Sequence, residues 1–197
     1  MRETLKIIEA EHGSIELVLK GLSFYVDQTL AGKTIPAAQV FRAMLQYLDL
    51  FAERLHHPKE DQYLFAHLRK RTHEADALLG RLEHDHQHGA LKIRELEQAF
   101  LRYEEGGKAF FLAFTQEVYS YTIFYLNHMR TEEKLLFPVC ERALTEQDWR
   151  EINAAFAAHQ DPLASMQAGH DISELFARIV AIMPVQPAPD VKNVASG

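Results

Sequence analysis

The sequence predicts an all-α protein: an up-down-up-down four-helix bundle followed by one or two extra C-terminal helices, from about residues 145 and 172. Apolar residues recur at spacings of three and four, Pro and Gly fall mainly between these stretches, and no alternating β-branched run with turn residues appears. The 197 residues, 47% of them hydrophobic, suffice for one domain with a substantial core. We assign residues 1–183 to this domain and expect the Pro-rich residues 184–197 to be a disordered tail.

Composition narrows the function and the location. The net charge of −7 argues against a nucleic-acid surface. No stretch approaches the roughly 18 apolar residues of a membrane span, and the N-terminal sequence lacks the apolar region of a signal peptide. The single cysteine, Cys140, permits neither an internal disulfide nor a cysteine-rich metal site. We therefore expect a cytoplasmic protein that binds neither nucleic acid nor membrane.

The first two predicted helices each carry an apolar stripe. The first ends at a glycine cap near Gly32 and has a histidine, His12, inside its stripe. The second begins after Pro36, and Pro58 is predicted to bend or interrupt it. The inward apolar residues are Leu5, Ile8, Ile15, Leu19, Leu22 and Val26 in the first helix, and Phe41, Leu45, Leu48 and Leu55 in the second.

Three further helices follow. The third covers about residues 72–103 and stops at two consecutive glycines. The fourth starts near Lys108, is too apolar for a surface helix, and is predicted to break near Pro138. Thr145 and Asp148 have the spacing of a capping box that opens the fifth helix. The inward residues are Leu79, Leu82, His86, Gly89, Ile93, Leu96 and Phe100 in the third helix, and Trp149, Ile152, Phe156, His159 and Leu163 in the fifth.

One phrase, HxxxE[E/D]xxLF, occurs twice. The first copy contains His56 and Glu60, and the second contains His128 and Glu132. Residues four apart on a helix lie on one face, so each copy directs an imidazole and a carboxylate to one point. Two copies predict two half-sites that face each other. Imidazoles and bridging carboxylates suit iron, manganese or zinc.

Six polar residues interrupt the stripes of the four bundle helices, where such folds build metal sites. Burying two carboxylates and four imidazoles without a cation would be strongly unfavourable. The set can give each of two metal ions two imidazoles, while both carboxylates bridge and positions stay open for a small ligand. We predict a non-haem, carboxylate-bridged centre of two iron ions, with other divalent metals also compatible. The predicted ligands are His12, His56, Glu60, His86, His128 and Glu132.

This combination resembles the hemerythrin-like family, also called HHE cation-binding domains, over about residues 5–140. In that family the first helix supplies one histidine, matched by His12, and the second and fourth helices supply HxxxE pairs. The resemblance implies a metal-binding bundle that binds or senses dioxygen, nitric oxide or iron.

The third helix departs from the oxygen-carrying members of the family, which have HxxxH there. His84 and His88 have that spacing but lie off the apolar stripe. His86 has the better register, and its surroundings resemble the (D/E)HxxG phrase of many bacterial relatives. One ligand fewer favours sensing, iron handling or stress response over oxygen carriage. His159, on the inner face of the fifth helix, is a candidate replacement ligand or hydrogen-bond partner.

The sequence leaves other assignments open. His57 and Asp61 also have four-residue spacing, and a shift of one residue would make them the ligands. Leu64 and Leu136, at matching positions of the two copies, favour the His56 register, in which His57 orients a ligand or carboxylate. Predicted surface histidines are His67, His73 and His170, and tyrosines that could line the site but are more typical of core are Tyr25, Tyr47, Tyr63, Tyr121 and Tyr125.

Three function classes remain. We expect a metal-binding protein that senses, binds or responds to O2, NO or iron rather than an enzyme; without an output module, it would act through a separate protein or through oligomerisation. The alternative is a di-iron enzyme in nitrosative or oxidative stress defence or in iron-centre repair. Relatives that repair iron–sulfur clusters carry a cysteine-bearing N-terminal segment, whereas this chain starts directly at the helix of His12. A ferritin-like oxidase ranks last, because there Glu precedes His by three residues.

Overall fold

The computed structural model describes residues 2–33, 37–158, 161–163, 177 and 179. All regular structure in this part of the chain is helical, which confirms the predicted all-α class. Four long helical runs are followed by one shorter helix. Their bounds are α1, Glu3–Leu30; α2, 38–71; α3, Asp76–Gly106; α4, 108–143; and α5, Glu146–Ala157.

The junction between α3 and α4 lies at the predicted glycine pair. Gly107 has φ of +70°, a conformation that glycine adopts without steric strain. Its N–H donates to the carbonyl of Tyr103 at 2.8 Å, and α4 then begins at Lys108. The start of α3 is later than the predicted residue 72, because the backbone of Thr72 is extended and ends α2.

Helix α2 contains two π-helical segments, Leu48–His56 and Glu60–Phe65. Pro58, predicted to bend or interrupt this helix, does not interrupt it, because the helical run continues through it. Pro58 lies in the first turn of the short α-helical piece His57–Lys59. A first-turn proline needs no helical N–H partner, and the wider turns on both sides accommodate its ring.

The π segments also change which side chains face inward. A π turn closes over one residue more than an α turn, so the faces shift along the helix. Leu55, predicted to point inward, is therefore 40% exposed, whereas Leu45 and Leu48 are buried as predicted. In α4 a π segment at Glu132–Leu136 likewise precedes Pro138, and the predicted break there is absent because that proline also lies in a first helical turn.

Buried apolar residues form two clusters, which we name core 1 and core 2. Helix α1 contributes Leu5 and Ile8 to core 2 and then Ile15 to Val26 to core 1. Helix α2 runs from core 1 to core 2, α3 from core 2 to core 1, and α4 from core 1 to core 2. This alternation is the predicted up-down-up-down topology. A polar layer separates the two cores at one level of the bundle.

Helix α5 covers core 2. The predicted capping box is present: the Thr145 hydroxyl accepts from the N–H of Asp148, whose carboxylate accepts from the N–H of Thr145. Arg71, at the end of α2, donates to the same carboxylate at 2.7 and 2.9 Å and ties α5 to the bundle. The buried inner residues of this helix are Trp149, Ile152 and Phe156.

Two other predictions concern α4 and the C-terminal region. The prediction that α4 is too apolar for the surface is wrong, since Leu112 and Ile123 are each 61% exposed on its outer side. Within the described ranges, no helix is both long and apolar enough to traverse a bilayer. The predicted short helix near residues 172–182 and the tail at 184–197 lie almost entirely outside the described residues.

Candidate metal centre

The polar layer between core 1 and core 2 contains all six predicted ligand residues. Each is at most 5% exposed. Helix α1 supplies one histidine and α3 another, while α2 and α4 each supply a histidine and a glutamate. The structure therefore brings together His12, His56, Glu60, His86, His128 and Glu132.

The two glutamates occupy the centre of the group. Glu60 Oε1 lies 3.5 Å from His56 Nε2 and 3.9 Å from His12 Nε2, and its Oε2 lies 3.6 Å from His86 Nε2. Glu132 Oε2 lies 3.3 Å from His12 Nε2. Glu132 Oε1 lies 3.7 Å from His86 Nε2 and 3.5 Å from His128 Nε2. Each carboxylate thus directs its two oxygens towards different histidine pairs, as a bridging ligand does.

The histidine pairs define two subsites. Subsite A comprises His12 and His56, which with Glu60 offer ligand atoms within 4.8 Å of one another. Subsite B comprises His86 and His128, whose Nε2 atoms are 3.1 Å apart. His86, His128 and Glu60 form a second group together with His57 of α2, and the ligand atoms of these four residues also lie within 4.8 Å of one another. Both donor sets suit a divalent transition metal.

In subsite A, both histidines have a carboxylate at the outer ring nitrogen. Nδ1 of His56 donates to Glu11 Oε2 at 2.7 Å, and Nδ1 of His12 donates to Glu133 Oε1 at 2.9 Å. Lys59 also binds Glu11 at 2.6 Å. Such carboxylates fix the ring orientation and leave Nε2 free to bind a metal.

Subsite B has a looser version of this arrangement. Nδ1 of His86 donates to Asp61 Oδ1 at 2.8 Å. Nδ1 of His128 lies 3.7 Å from Asp85 Oδ2, an ion-pair distance rather than a hydrogen bond. The structure therefore assigns Asp61, considered in the sequence as an alternative ligand, to the outer nitrogen of His86.

The sequence contains a signal for these outer carboxylates that motif reading missed. Glu11 and Asp85 directly precede the histidines of α1 and α3, and Asp61 and Glu133 directly follow the two central glutamates. They act across helices: the acid before His12 binds His56, and the acid after Glu60 binds His86. Halves α1–α2 and α3–α4 are thus related by an approximate twofold repeat, which only the packed bundle reveals.

A buried polar network adjoins subsite B. The ring of His57 stacks on His86, with centroids 4.1 Å apart and planes 12° apart. Its Nε2 is hydrogen-bonded to the Tyr125 hydroxyl at 2.8 Å, and its Nδ1 lies 3.0 Å from Glu53. Because imidazole lone pairs lie in the ring plane, two stacked rings do not point at the same ion. The placement supports the orienting role predicted for His57.

The network extends to a second phenol and to a glycine. Tyr121 donates to Glu53 Oε1 at 2.7 Å. A Cβ added at Gly89 would lie 3.0 Å from both carboxylate oxygens of Glu53, so glycine leaves the space that this side chain occupies. The sequence left open whether Tyr121 and Tyr125 line the site or belong to the core; both are buried, and their hydroxyls belong to this network.

The unsatisfied polar atoms of the layer fit bound cations. In the described part of the chain, Nε2 of His12 and of His56 and both oxygens of Glu60 and Glu132 are buried without a hydrogen-bond partner. Buried polar atoms in folded proteins are nearly always paired, because an unpaired one is unfavourable. Metal ions between the four helices would give these inward-facing atoms their partners.

The carboxylates carry unequal charge in the metal-free protein. Burial raises the pKa of Glu60 well above its ordinary value, and repulsion from Glu132 raises it further. Burial also opposes ionisation of Glu132, but the neighbouring His128 and His12 hold its pKa well below the ordinary value. Of the two carboxyls, Glu60 therefore binds a proton more readily than Glu132 when no cation is present.

The histidines show where cations would replace protons. Burial opposes the charged form of His12, yet the carboxylates around it raise its pKa to about 10. The same balance raises the pKa of His86 to about 10. Burial lowers the pKa of His56 to about 4, so this ring is neutral and ready to bind. Metal ions compete with protons for such ligands.

Other histidines lie away from the layer. His84 and His88 are exposed, as predicted, and so is His73. The surface prediction for His67 is wrong, because this residue is 8% exposed and its Nε2 lies 3.0 Å from Glu151 of α5. His159 and His170 are outside the described residues.

The comparisons with known proteins agree with this geometry. The family model of the hemerythrin HHE cation binding domain matches residues 3–140, which include all six residues of the polar layer. A comparison with curated proteins found no match. The family's cation binding fits the buried His and Glu donor set. This chain belongs to the hemerythrin HHE cation-binding domain family, and its four-helix bundle is a metal-binding domain.

Proposed function

We propose that this metal-binding protein holds two iron ions, one at subsite A and one at subsite B, and binds or responds to dioxygen, nitric oxide or the iron level through them. The observation that carries the proposal is the orientation of Glu60 and Glu132, whose oxygens face different histidine pairs. A single-ion site would need only one of these pairs. His12, His56, His86 and His128 complete the proposed ligand set.

The ligand count supports a site for a small exogenous ligand. Two imidazoles and two bridging carboxylate oxygens give each ion about four protein ligands, fewer than the six that octahedral iron takes. When bound, the ions would supply open coordination positions and redox chemistry at the centre of the bundle.

The surrounding residues favour small, weakly polar ligands. The ring of Phe137 lies against His12 at 6.4 Å, and Phe65 stacks against His86 at 5.5 Å. Both aromatic residues are at most 5% exposed and belong to core 2. They keep water from that side of the layer, so diatomic molecules suit the space better than charged ones.

The test is the metal content of the wild-type chain after anaerobic loading with ferrous iron and removal of the excess. We expect about two irons per chain, and an optical spectrum that changes on exposure to O2 or NO. About one iron would contradict the two-subsite assignment. Two irons with no spectral response to either gas would contradict binding of O2 or NO. A response to the iron level would then be the remaining part of the proposal.

A second candidate function is redox turnover in stress defence. The observation that favours it is the chain of Tyr125, His57, Glu53 and Tyr121 beside subsite B, because a simple ligand carrier needs no buried phenols there. The test is repeated consumption of peroxide or NO by the iron-loaded protein with a chemical reductant. Consumption limited to one equivalent per centre would favour binding over turnover.

A further inference from the structure

A small recess lies at the surface between α1 and α4 and reaches subsite A. Its volume is about 180 Å³, room for several water molecules. One of its lining residues is His12, whose Nε2 lies 3.3 Å from Glu132 in the polar layer. This ring therefore borders both the recess and the proposed metal position.

The wall of the recess next to this ring is a carboxylate. Glu133 has a side-chain exposure of 29% and holds Nδ1 of His12 at 2.9 Å. It thus contacts solvent on one side and a proposed ligand on the other. Glu133 is therefore more exposed to the recess than the buried ring that it holds.

Ionisable side chains line the recess. Its lining includes three carboxylates, Glu9, Glu16 and Glu133, against one guanidinium, Arg130. Lys20 pairs with Glu16 at 2.8 Å and partly offsets its charge. His12, with its pKa raised to about 10, offsets the charge of Glu133, so Glu9 and Glu16 are the lining carboxylates that can attract divalent ions.

A glycine keeps the recess open. Gly13 lines it, and a Cβ added there would have nothing within 4 Å. In the approximate twofold repeat, its counterpart after His86 is Gln87, which has a long side chain. The repeated motif therefore does not predict an equivalent recess at subsite B.

From these observations we propose that the recess between α1 and α4 is the route by which divalent metal ions enter and leave the buried centre, past the Glu133 carboxylate and the His12 ring. The inference rests on metal binding at subsite A. A larger side chain at Gly13 would lean back over Glu9, one turn before it, and obstruct the route.

The test compares Gly13→Leu with Gly80→Leu. Both glycines are exposed in long helices with open space around the added Cβ, and only Gly13 lines the recess. Uptake of Co2+ by the metal-free protein is followed by visible absorbance. We expect Gly13→Leu to slow uptake and release to a chelator about tenfold or more, with unchanged final stoichiometry, and Gly80→Leu to match wild type.

A third variant separates this route from another. A cavity between α1 and the end of α5 reaches Glu11 and is lined by Ala10. Ala10→Leu should leave the uptake rate unchanged; slower uptake in Ala10→Leu with wild-type kinetics in Gly13→Leu would overturn the proposal in favour of that cavity. Equal rates in all variants would also overturn it.

A charge variant keeps the proposal testable if Gly13→Leu does not fold. Glu9→Gln with Glu16→Gln should slow uptake at low salt and weaken its dependence on ionic strength. Unchanged rate and salt dependence would contradict the route. A wild-type protein that takes up no Co2+, Zn2+ or Fe2+ would instead overturn the metal function itself, so the two failures are distinguishable.

Discussion

Subsites A and B share a ligand pattern but differ in their surroundings. In subsite A both outer ring nitrogens make short hydrogen bonds to carboxylates, at 2.7 and 2.9 Å, and a recess reaches one of the rings. In subsite B the outer nitrogen of His128 is 3.7 Å from its carboxylate, and buried Tyr125 and His57 adjoin the site. Subsite A is therefore the more tightly oriented half and the one that adjoins the recess, while the histidines of both subsites are buried.

The difference arises at positions that the repeat does not duplicate. His57 follows His56 of subsite A along the chain but stacks against subsite B. Its counterpart Met129 follows His128 of subsite B and lines the recess at subsite A. The duplicated phrase thus fixes which residue types can bind metal in each half. The residues that directly follow its histidines differ between the copies, and they change the polarity around each subsite.

The largest effect should come from removing the bridge that both halves share. Glu132→Ala should lose iron from both subsites. In the metal-free protein it also removes the anion beside His12 and His86, and we expect a loss of about 3–5 kcal/mol of unfolding free energy. Metal analysis and urea unfolding measure both effects. His73→Ala, on an exposed ring, is the control, and two irons retained in Glu132→Ala would refute bridging.

The next effect separates the halves. His56→Ala should empty subsite A, and His128→Ala should empty subsite B, each lowering the iron content from about two to about one per chain. The two one-iron proteins should differ in spectrum, because only subsite B adjoins His57 and Tyr125. Metal content with optical spectroscopy decides. Identical spectra would mean that the iron occupies the same position in both variants.

Protons should leave both halves when metal enters. At pH 7.5 His12 and His86, each with a pKa of about 10, carry protons. Zn2+ binding should therefore release about two protons per chain from these histidines, and affinity should fall as the pH falls. A pH indicator in weak buffer measures the release. His12→Ala should release about one fewer, and no release from the wild type would contradict the assignment.

The smallest effect concerns Gly89 in subsite B. Gly80→Ala has open space around the new Cβ and should stabilise the helix by about 0.5–1 kcal/mol. Gly89→Ala gains the same helix propensity but brings the Cβ to 3.0 Å from the carboxylate of Glu53, which must shift by a few tenths of an ångström while it accepts from Tyr121. We expect Gly89→Ala to be about 1 kcal/mol less stable than Gly80→Ala by thermal unfolding. Equal stabilities would show that Glu53 moves freely.

Much of the fold was predictable from local patterns. The stripes of α1 and α3, the glycine junction before Lys108 and the capping box at Thr145 each depend on residues within a few turns. The failures at Leu55, Pro58 and Pro138 share a cause, because π-helical turns beside the polar layer change the helix register in a way that α-helical periodicity does not anticipate.

The sequence by itself determined the fold class, the family and the six residues that meet in the polar layer, because ligand type and helical spacing are local properties. Tertiary structure decided which carboxylate serves which histidine, the stacking of His57 on His86, and the recess at Gly13. These relations join residues from different helices. Their distances depend on how four helices pack, which no spacing along one helix contains.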